Sequence, residues 1–169
     1  FPVEGKSKIR TLKEDFPKVF NPLVDKAKEQ GIKIALENWF ATNLQGLDHF
    51  QIALEAVPDK TLSLNFDPSH LLWQHIDYVK AVHTFGPRIH HTHAKDTEIL
   101  KFKLREVGVL GEGWWRYRIP GWGSLDWNAY LTALKEVKYD SVLSIEHEDP
   151  FFTPEDGLLR GKRFLEGFL

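Results

Sequence analysis

Four short stretches of the chain alternate apolar and polar residues, and segments with helical spacing lie between them. Alternation predicts strands, whereas apolar residues three and four apart predict helices. The predicted strands are IKIALENW, TLSLNFD, RIHHTH and SVLSIEHE, at 32–39, 61–67, 88–93 and 141–148. The predicted helices are NPLVDKAKEQG, LDHFQIALEAVP, IDYVKAVHTF and LDWNAYLTALKEV, followed by a last helix that Thr153 caps. Strands alternating with helices favour a parallel sheet of βα units.

Local signals mark some of these boundaries more sharply than others. For the first helix, Asn21 is a candidate N-cap, Pro22 takes the first helical position and Gly31 follows the end. Residues 97–123 are rich in glycine and aromatic residues, and we expect an irregular segment there.

The strands carry bulky apolar residues on one side and small or polar residues on the other. In the second strand, Leu62, Leu64 and Phe66 point one way, and Ser63 and Asn65 point the other way. An open, doubly wound sheet is covered by helices on both faces and would be apolar on both. A barrel whose interior holds a polar site at one end therefore fits better.

Each predicted strand ends in a metal-capable side chain on its polar side. These strand-end residues are Glu37, Asp67, His93 and Glu146. Because parallel strands end at the same rim of a barrel, where barrel enzymes hold their sites, we expect the four to share one site. The alternative for any single residue is a helix cap or a lysine partner. Asp67 and His70 flank a Pro-Ser pair, which places them on a turn.

Composition narrows the class of protein. The 169 residues suffice for one domain with a hydrophobic core, and we expect a single domain over 1–169. A net charge of −2 gives no general attraction to nucleic acid or anionic membranes, and no apolar run is long enough to span a bilayer. The absence of cysteine excludes disulfides and thiolate metal sites and fits a reducing compartment. We expect a cytoplasmic protein that binds neither nucleic acid nor membranes.

Five motifs in matching order carry a family resemblance over nearly the whole chain. IALENW, LNFDPSH, IHHTHAKD, RIPGWGSLDW and LSIEHEDP together resemble the xylose isomerase-like TIM barrels of the sugar phosphate isomerase/epimerase group. That group shares its fold with ketose 3-epimerases, inosose dehydratases and endonuclease IV. The resemblance implies an α/β fold of the (β/α) barrel type.

The resemblance also implies roles for particular residues. The four strand-end residues would bind one divalent cation, while His70 and an arginine near RIPG contact a small-molecule sugar or polyol. Arg118 is the first choice for that arginine, and Arg116 is the alternative. Three carboxylates and one imidazole suit Mn²⁺ or Mg²⁺ best, with Zn²⁺ or Co²⁺ left open. By resemblance to the ketose epimerases, Glu37 and Glu146 would also serve as base and acid.

The function that follows is a metal-dependent isomerase or epimerase of a sugar, keto-sugar or polyol, acting through an enediolate. A phosphodiesterase like endonuclease IV ranks second, because it would need more histidine ligands and a basic groove. A non-catalytic barrel fragment is a third reading, which the metal-capable residue at every strand end disfavours.

The chain departs from the family in its number of strands. Family members have eight, with the metal ligands on the fifth to eighth, whereas this chain shows four. It therefore resembles the C-terminal half of a barrel, which cannot close and leaves two sheet edges exposed. We expect either a homo-oligomer that completes the barrel or a missing N-terminal half without which the chain is inactive. The lack of an initiator Met favours the fragment.

Several residues near the motifs keep two interpretations. Lys95 and Asp96 either reach the site or form a solvated salt bridge, and a salt bridge is at least as good an explanation. His91 has the parity of an interior histidine. The aromatic residues of 97–123 either stack on a sugar ring or pack the loop; they are Trp114, Trp115, Tyr117 and Trp122.

Overall fold

A four-stranded parallel sheet forms the centre of the structure, a computed structural model that describes residues 1–168. Its strands lie in the order β1, β2, β3, β6, and they are Ile34–Glu37, Leu62–Phe66, Ile89–Ala94 and Leu143–Ile145. Each neighbouring pair is parallel, as the alternation of strands and helices predicts. Two further strands, β4 (Asp96–Ile99) and β5 (Trp115–Arg118), form a separate antiparallel pair. Leu169, the last residue of the predicted domain, lies outside the described residues.

Helices connect these strands and cover the apolar side of the parallel sheet. They are α1 (Lys8–Glu14), α2 (Phe16–Glu29), α3 (Leu47–Ala56), α4 (Ser69–Leu72), α5 (Tyr78–Phe85), α6 (Lys101–Val107), α7 (Trp127–Glu136) and α8 (Pro154–Glu166), with a 3₁₀ turn at Gly86–Arg88. In the described part of the chain, no helix has both the length and the hydropathy that crossing a membrane requires.

The core lies between β2 and the helices, where the alternation of β2 places it. Leu62, Leu64 and Phe66 are buried in one cluster with Phe50 of α3 and Leu131 of α7. Each fully buried side chain of this size contributes about 1.5–3 kcal/mol relative to exposure. The opposite side of β2 carries its polar residues toward the rim.

The predicted start of the first helix at Asn21 is wrong. Helix α2 begins at Phe16, and Pro22 lies inside it although an interior proline removes one backbone hydrogen bond. Phe16 and Val24 are buried on either side of the proline, so one apolar stripe continues through it. Burial of this stripe holds the two parts together. Gly31 follows the helix with φ +66°, the left-handed conformation expected of a glycine at this place.

The prediction of an irregular segment at 97–123 is wrong in part. Strands β4 and β5 pair there as an antiparallel hairpin, with α6 between them. Opposite one another, Glu98 and Arg116 form an ion pair, in which Arg116 Nε donates to Glu98 Oε2 at 2.7 Å. The Thr97 hydroxyl donates to the Ser69 carbonyl oxygen at 3.0 Å and fastens the hairpin to α4. Strands β4 and β5 have only four residues each, which is too short for an alternation of apolar and polar residues to reveal them in the sequence.

The predicted turn after Asp67 is also corrected, because the residues from Ser69 to Leu72 form one turn of helix, α4. The carboxylate of Asp67 accepts a hydrogen bond from the Ser69 backbone N–H at 2.8 Å, which satisfies a donor at the start of this turn. His70 therefore lies on a fixed helical turn. The predicted cap at Thr153 is confirmed, since its side chain accepts from the Asp156 N–H.

Strands β1 and β6 lie at the edges of the parallel sheet and are the least buried part of it. Their residues are half-buried or exposed, whereas the residues of β2 are almost all buried. Apolar pockets of about 270 and 290 Å³ open beside Leu36 of β1 and Leu143 of β6. The faces of parallel sheets are normally covered, and edge strands present unpaired backbone groups. The exposed apolar residues beside β1 and β6 are therefore what an open half-barrel would leave at its two edges.

We expect the 169-residue chain to self-associate rather than persist as a compact monomer, because both edges present unpaired backbone groups. Sedimentation velocity over a range of protein concentrations should show dimers or larger species. Val142→Lys, which places a charge beside the β6 edge, should shift the population toward monomer. Leu110→Lys, an exposed apolar position between α6 and β5, is the matched control and should not. A monomer with cooperative unfolding at every concentration would contradict the open-edge interpretation.

Candidate metal centre and active site

The four strand-end residues meet at the carboxyl rim of the parallel sheet. Glu37 ends β1, Asp67 follows β2, His93 is the fifth residue of β3 and Glu146 follows β6. One ligand atom from each residue lies within 4.8 Å of those of the other three. The structure thus brings together the residues that the strand-end pattern assigns to one site.

Asp67 is the most rigidly held member of this group. The side chain of Asn38 forms two hydrogen bonds with the backbone of Asp67. Asn38 Nδ2 donates to the Asp67 carbonyl oxygen, and the Asp67 N–H donates to Asn38 Oδ1, both at 2.8 Å. Asp67 Oδ1 accepts from the Ser69 N–H. Asp67 Oδ2 is buried without a hydrogen bond, although Lys95 Nζ lies 3.2 Å away as an ion-pair partner. A buried carboxylate oxygen with a free lone pair is suited to a cation.

His93 lies between the carboxylates, and its positive charge is stabilised by them. Its Nδ1 lies 2.9 Å from Glu146 Oε2 and 3.1 Å from Glu37 Oε1, while the amide of Asn65 contacts Nε2 at 3.0 Å. The contacts of its ring with Asp67, Glu146 and Glu37 raise the pKa of His93 to about 11. The imidazole is therefore protonated at neutral pH until a metal displaces the proton.

The two glutamates remain ionised at neutral pH despite partial burial. For Glu146, the hydrogen bond with His93 lowers the carboxyl pKa, and Lys95 lowers it further. Burial raises the pKa of Glu37, but hydrogen bonds with His70 and His93 outweigh burial and hold it well below its usual range.

These observations fit a divalent cation. Three ionised carboxylates and one imidazole converge on a small volume, and one buried oxygen has no hydrogen-bond donor. Oxygen-rich sets of this kind suit Mn²⁺ or Mg²⁺, and a single imidazole also admits Zn²⁺ or Co²⁺.

His70 borders the metal group. Only 3% of its surface is exposed, and its Nε2 lies 3.4 Å from both Glu37 Oε1 and Asp67 Oδ2. Its Nδ1 lies 2.7 Å from the Tyr117 hydroxyl. The short helix α4 sets the ring beside the carboxylates rather than pointing away from them.

Lys95 is buried in the site, so a solvated salt bridge is the wrong description for it. Its Nζ donates to Glu146 Oε2 at 2.7 Å and to Glu148 Oε2 at 3.0 Å, and only 1% of its surface is exposed. Burial lowers the pKa of Lys95, but Asp67 and Glu146 outweigh burial and keep it charged. The sequence carries a signal for this position, because Lys95 is two residues after His93 and two such residues on a strand point to the same side.

Asp96 points away from the site and braces the fold. Its carboxylate accepts hydrogen bonds from the backbone N–H groups of Thr97, Gly121 and Leu125 and from Trp127 Nε1, at 2.8–3.1 Å. Neither interpretation offered by the sequence, a site residue or a solvated salt bridge, describes this buried carboxylate.

The predicted arginine lies beyond the site. Arg118 Nε donates to Asp149 Oδ2 at 2.7 Å, and its second nitrogen donates to Glu98 Oε2 at 2.6 Å. Arg116 also pairs with Glu98. Neither arginine is among the described residues that line the pocket above the metal group. Substrate contact by Arg118 stays a prediction.

A pocket of about 340 Å³ opens over these groups. Its walls combine charged and aromatic side chains, which are Glu37, Trp39, Phe40, His70, Lys95, Trp115, Tyr117, Glu146 and Glu148. Trp115 and Tyr117 come from the hairpin, and Trp115 stacks on Trp73 at 4.4 Å. Polar groups that fix orientation beside aromatic faces are typical of a small-molecule site.

A parallel βα sheet with its site at the carboxyl ends of the strands is the arrangement found in (β/α) barrels. Residues 4–168 match the family model described as xylose isomerase-like TIM barrel, and the chain belongs to that family. The predicted family and fold are thereby confirmed.

Individual relatives match over part of their length. The uncharacterized protein YfiH of Bacillus subtilis is 33% identical over 147 residues, which are 80% of this chain and 47% of that protein. Inosose dehydratase of Clostridium botulinum is 26% identical over 152 residues, 86% of this chain and 51% of the enzyme. The crystal structure of IolI protein with a bound zinc atom matches at TM-score 0.76 and 25% identity, over 99% of this chain and 59% of that chain. The chain spans about half the length of the curated relatives.

Asp67→Asn should weaken metal binding far more than His70→Ala, because only the former removes a ligand charge. We expect the loss at Asp67 to exceed the roughly 10–100-fold typical of residues behind the ligands. Calorimetric titration with Mn²⁺ and Zn²⁺ measures both. Asp25→Asn, at an exposed position of α2, is the isosteric control. Stronger metal loss in His70→Ala than in Asp67→Asn would reverse the two assignments.

Metal binding should release close to one proton at about pH 8, because His93 with a pKa of about 11 is protonated beforehand and neutral when it binds a metal. Apparent affinity should rise by about tenfold per pH unit in this range. In the metal-free protein, the stability due to charged His93 is fully present below about pH 6.5 and lost toward pH 11. Titrations in two buffers of different ionisation enthalpy count the protons. No release would show that His93 is neutral before binding.

Proposed function

We propose that the protein is a divalent-metal-dependent isomerase or epimerase of a sugar, keto-sugar or polyol. The observation that carries the proposal is the convergence of four ligand atoms within 4.8 Å beside a pocket sized for a small molecule. The related inosose dehydratases and the zinc-bound IolI protein support a metal-assisted reaction on a sugar or polyol. Only about half of the length of these relatives is represented, so the reaction of the whole protein is part of the proposal.

The metal group supplies the first requirement of this chemistry. Glu37, Asp67, His93 and Glu146 would hold the ion, and a bound divalent cation polarises neighbouring carbonyl and hydroxyl oxygens of a substrate. Polarisation matters because the proton to be removed lies on a carbon next to the carbonyl group.

The two glutamates supply the proton transfer. Each contributes one oxygen to the ligand group and retains a second oxygen, and both line the pocket. They stand at the ends of β1 and β6, the opposite edges of the parallel sheet, and so flank a bound substrate. One takes a proton from carbon, and the electron pair moves onto the carbonyl oxygen as an enediolate forms. The other, having taken up a proton from solvent, returns it to carbon, and the first glutamate then releases its own proton to solvent. General acid–base catalysis of this kind contributes about 10²–10⁴-fold.

Two further side chains orient the substrate and stabilise its charge. His70 reaches the pocket beside Glu37 and is placed to hydrogen-bond a substrate oxygen. Lys95 keeps a fixed positive charge against Glu146 and Glu148. A charge already in place costs no reorganisation when negative charge develops on the substrate.

A dehydratase is the second candidate, and the similarity to inosose dehydratases favours it. The same deprotonation followed by loss of a β-hydroxyl group as water gives an enone instead of an epimer. This reaction also requires an acid that protonates the departing hydroxyl group. Lys95 and Glu148 line the pocket and are the candidates for that acid.

A phosphodiesterase is supported less well. Among the described residues, metal-capable side chains gather in this one group of four, which has a single histidine. A nuclease of the endonuclease IV kind would need a larger, histidine-rich cluster and a basic groove, whereas the pocket carries three glutamates.

Proton exchange in D₂O tests the proposal. The metal-loaded protein should incorporate deuterium next to the carbonyl group of a ketose or inosose, as followed by NMR. Epimer or isomer products support the first candidate, and a conjugated enone supports the dehydratase. His70→Ala should keep metal but slow exchange by about 1–3 kcal/mol, or roughly 5–150-fold.

The controls separate ligand loss from lost acid–base chemistry. Glu146→Gln should lose exchange by about 10²-fold or more even at saturating metal. Glu112→Gln makes the same chemical change at an exposed loop position and should leave exchange intact. Hydrolysis of a phosphodiester without exchange on any ketose, inosose or polyol-derived ketone would overturn the proposal.

A further inference from the structure

The two aromatic residues of β5 face the pocket above the metal group. Trp115 and Tyr117 are two residues apart, so they point to the same side of the strand, and both line the pocket. Arg116 and Arg118 point to the opposite side, where both pair with Glu98. The alternation of β5 thus gives the hairpin an aromatic side toward the pocket and a charged side away from it.

The other two tryptophans of 97–123 pack the fold. Trp114 is only 2% exposed, and its Nε1 donates to the Gly111 carbonyl oxygen at 3.0 Å. Trp122 packs nearly perpendicular to Phe152, with ring centres 4.9 Å apart. Neither tryptophan is among the described residues that line the pocket. Loop packing therefore describes Trp114 and Trp122, whereas the two aromatic residues of β5 are placed to meet a ligand.

Trp115 is held in place by further aromatic rings. Trp73, which follows α4, lies parallel to Trp115, with 4.4 Å between ring centres and 5° between ring planes. Phe40 packs nearly perpendicular to Trp73, at 5.1 Å. Trp73 covers one face of the Trp115 indole and does not itself line the pocket. The rest of the indole therefore borders the pocket as a rigid apolar surface.

Charged side chains make up the other part of the pocket. They are Glu37, His70, Lys95, Glu146 and Glu148. A ligand that suits both parts needs oxygens at its perimeter and C–H bonds on a flat face, because the negative face of an aromatic ring attracts C–H bonds. A six-membered ring with equatorial hydroxyl groups has this form. An open-chain polyol has no such face and loses more conformational freedom when it binds.

We propose that Trp115 is a specificity-determining residue that selects six-membered ring substrates over open-chain polyols and ketoses. The ring carbons that do not react pack on the indole, while the ring carbonyl and its neighbouring hydroxyl group meet the charged side chains. Binding energy from the remote part of a substrate helps to position the reacting part. The statement about substrates rests on the proposed function, whereas the preference for a ring is a property of binding alone.

Two unreactive polyols test the preference. scyllo-Inositol and sorbitol each have six carbons and six hydroxyl groups, but only scyllo-inositol is a ring, and all its hydroxyl groups are equatorial. In NMR titrations of the Zn²⁺-loaded protein, scyllo-inositol should bind about tenfold more tightly than sorbitol. In Trp115→Leu, affinity for scyllo-inositol should fall by about tenfold, with the affinity for sorbitol changed by less than about threefold.

Trp122→Leu is the matched control, because it makes the same change at an exposed position outside the pocket. It should leave both affinities unchanged. Circular dichroism and a Zn²⁺ affinity within about threefold of the starting value verify that each variant keeps its fold and metal group. A measurement on the unmodified protein covers the case in which Trp115→Leu does not fold. With ¹⁵N-labelled tryptophan, the indole signal of Trp115 should shift with scyllo-inositol, and that of Trp122 should not.

Three outcomes overturn the proposal: similar affinities for the two polyols, binding of neither, or an equal loss of both affinities in Trp115→Leu. Failure of the proposed function looks different, because a ring preference that depends on Trp115 would then accompany an absence of deuterium exchange on every ketone. Where exchange occurs, Trp115→Leu should lower kcat/KM by about tenfold for a six-membered ring ketone and by less than about threefold for an open-chain ketose. Exchange on open-chain ketoses without a ring preference would leave the proposed function standing and refute this role of Trp115.

Discussion

Three carboxylates that converge within a few ångströms repel one another, and the rest of the site is arranged around this repulsion. At a separation of 4 Å and an effective dielectric constant of 20, one such pair costs about 4 kcal/mol. Burial adds to the cost at Asp67, which is fully buried, yet the nearby His93 and the charge of Lys95 still keep its pKa low. Two protein cations therefore hold the group together without a metal. A divalent ion that displaces the His93 proton replaces one positive charge by two, which is the direction that the carboxylates favour.

Opposing charges alone would not give defined geometry, and backbone contacts supply it. Asn38 ties the end of β1 to Asp67 by two hydrogen bonds, so neighbouring strand ends keep a fixed distance. Asp96 accepts four hydrogen bonds, one from the hairpin, two from the loop that follows it and one from the start of α7. The hairpin can then present Trp115 and Tyr117 at a constant distance from the rim. Two buried polar groups, neither of them in the metal group, thus set the two walls of the pocket.

The sequence predicts the parallel sheet and the convergence of the four strand-end residues well, because both follow from local periodicity. Strand parity decides which side chains face the interior, and parallel strands must end at one rim. Helix α2 could not be placed from its cap signals, because tertiary burial of Phe16 overrides the proline. The hairpin escaped detection since its strands are four residues long and pair across a helix. Consequently the sequence indicates Tyr117 and Trp115 as aromatic residues near the site but not their contacts. The parity of Lys95 points to the interior, but the sequence does not reveal how completely Lys95 is buried.

The half-barrel divides the site into an inner and an outer part. Asp67 directly follows β2 and Lys95 directly follows β3, the two middle strands of the sheet. Both side chains are almost fully buried. Glu37 and Glu146 stand at the edge strands, and about a third of each side chain is exposed. Strands paired to these edges would cover the two glutamates and strengthen their interactions by excluding water, while the inner pair would change little. The charge balance that assembles the metal group is therefore contained in this chain, whereas the environment of Glu37 and Glu146 would change if further strands paired with these edges.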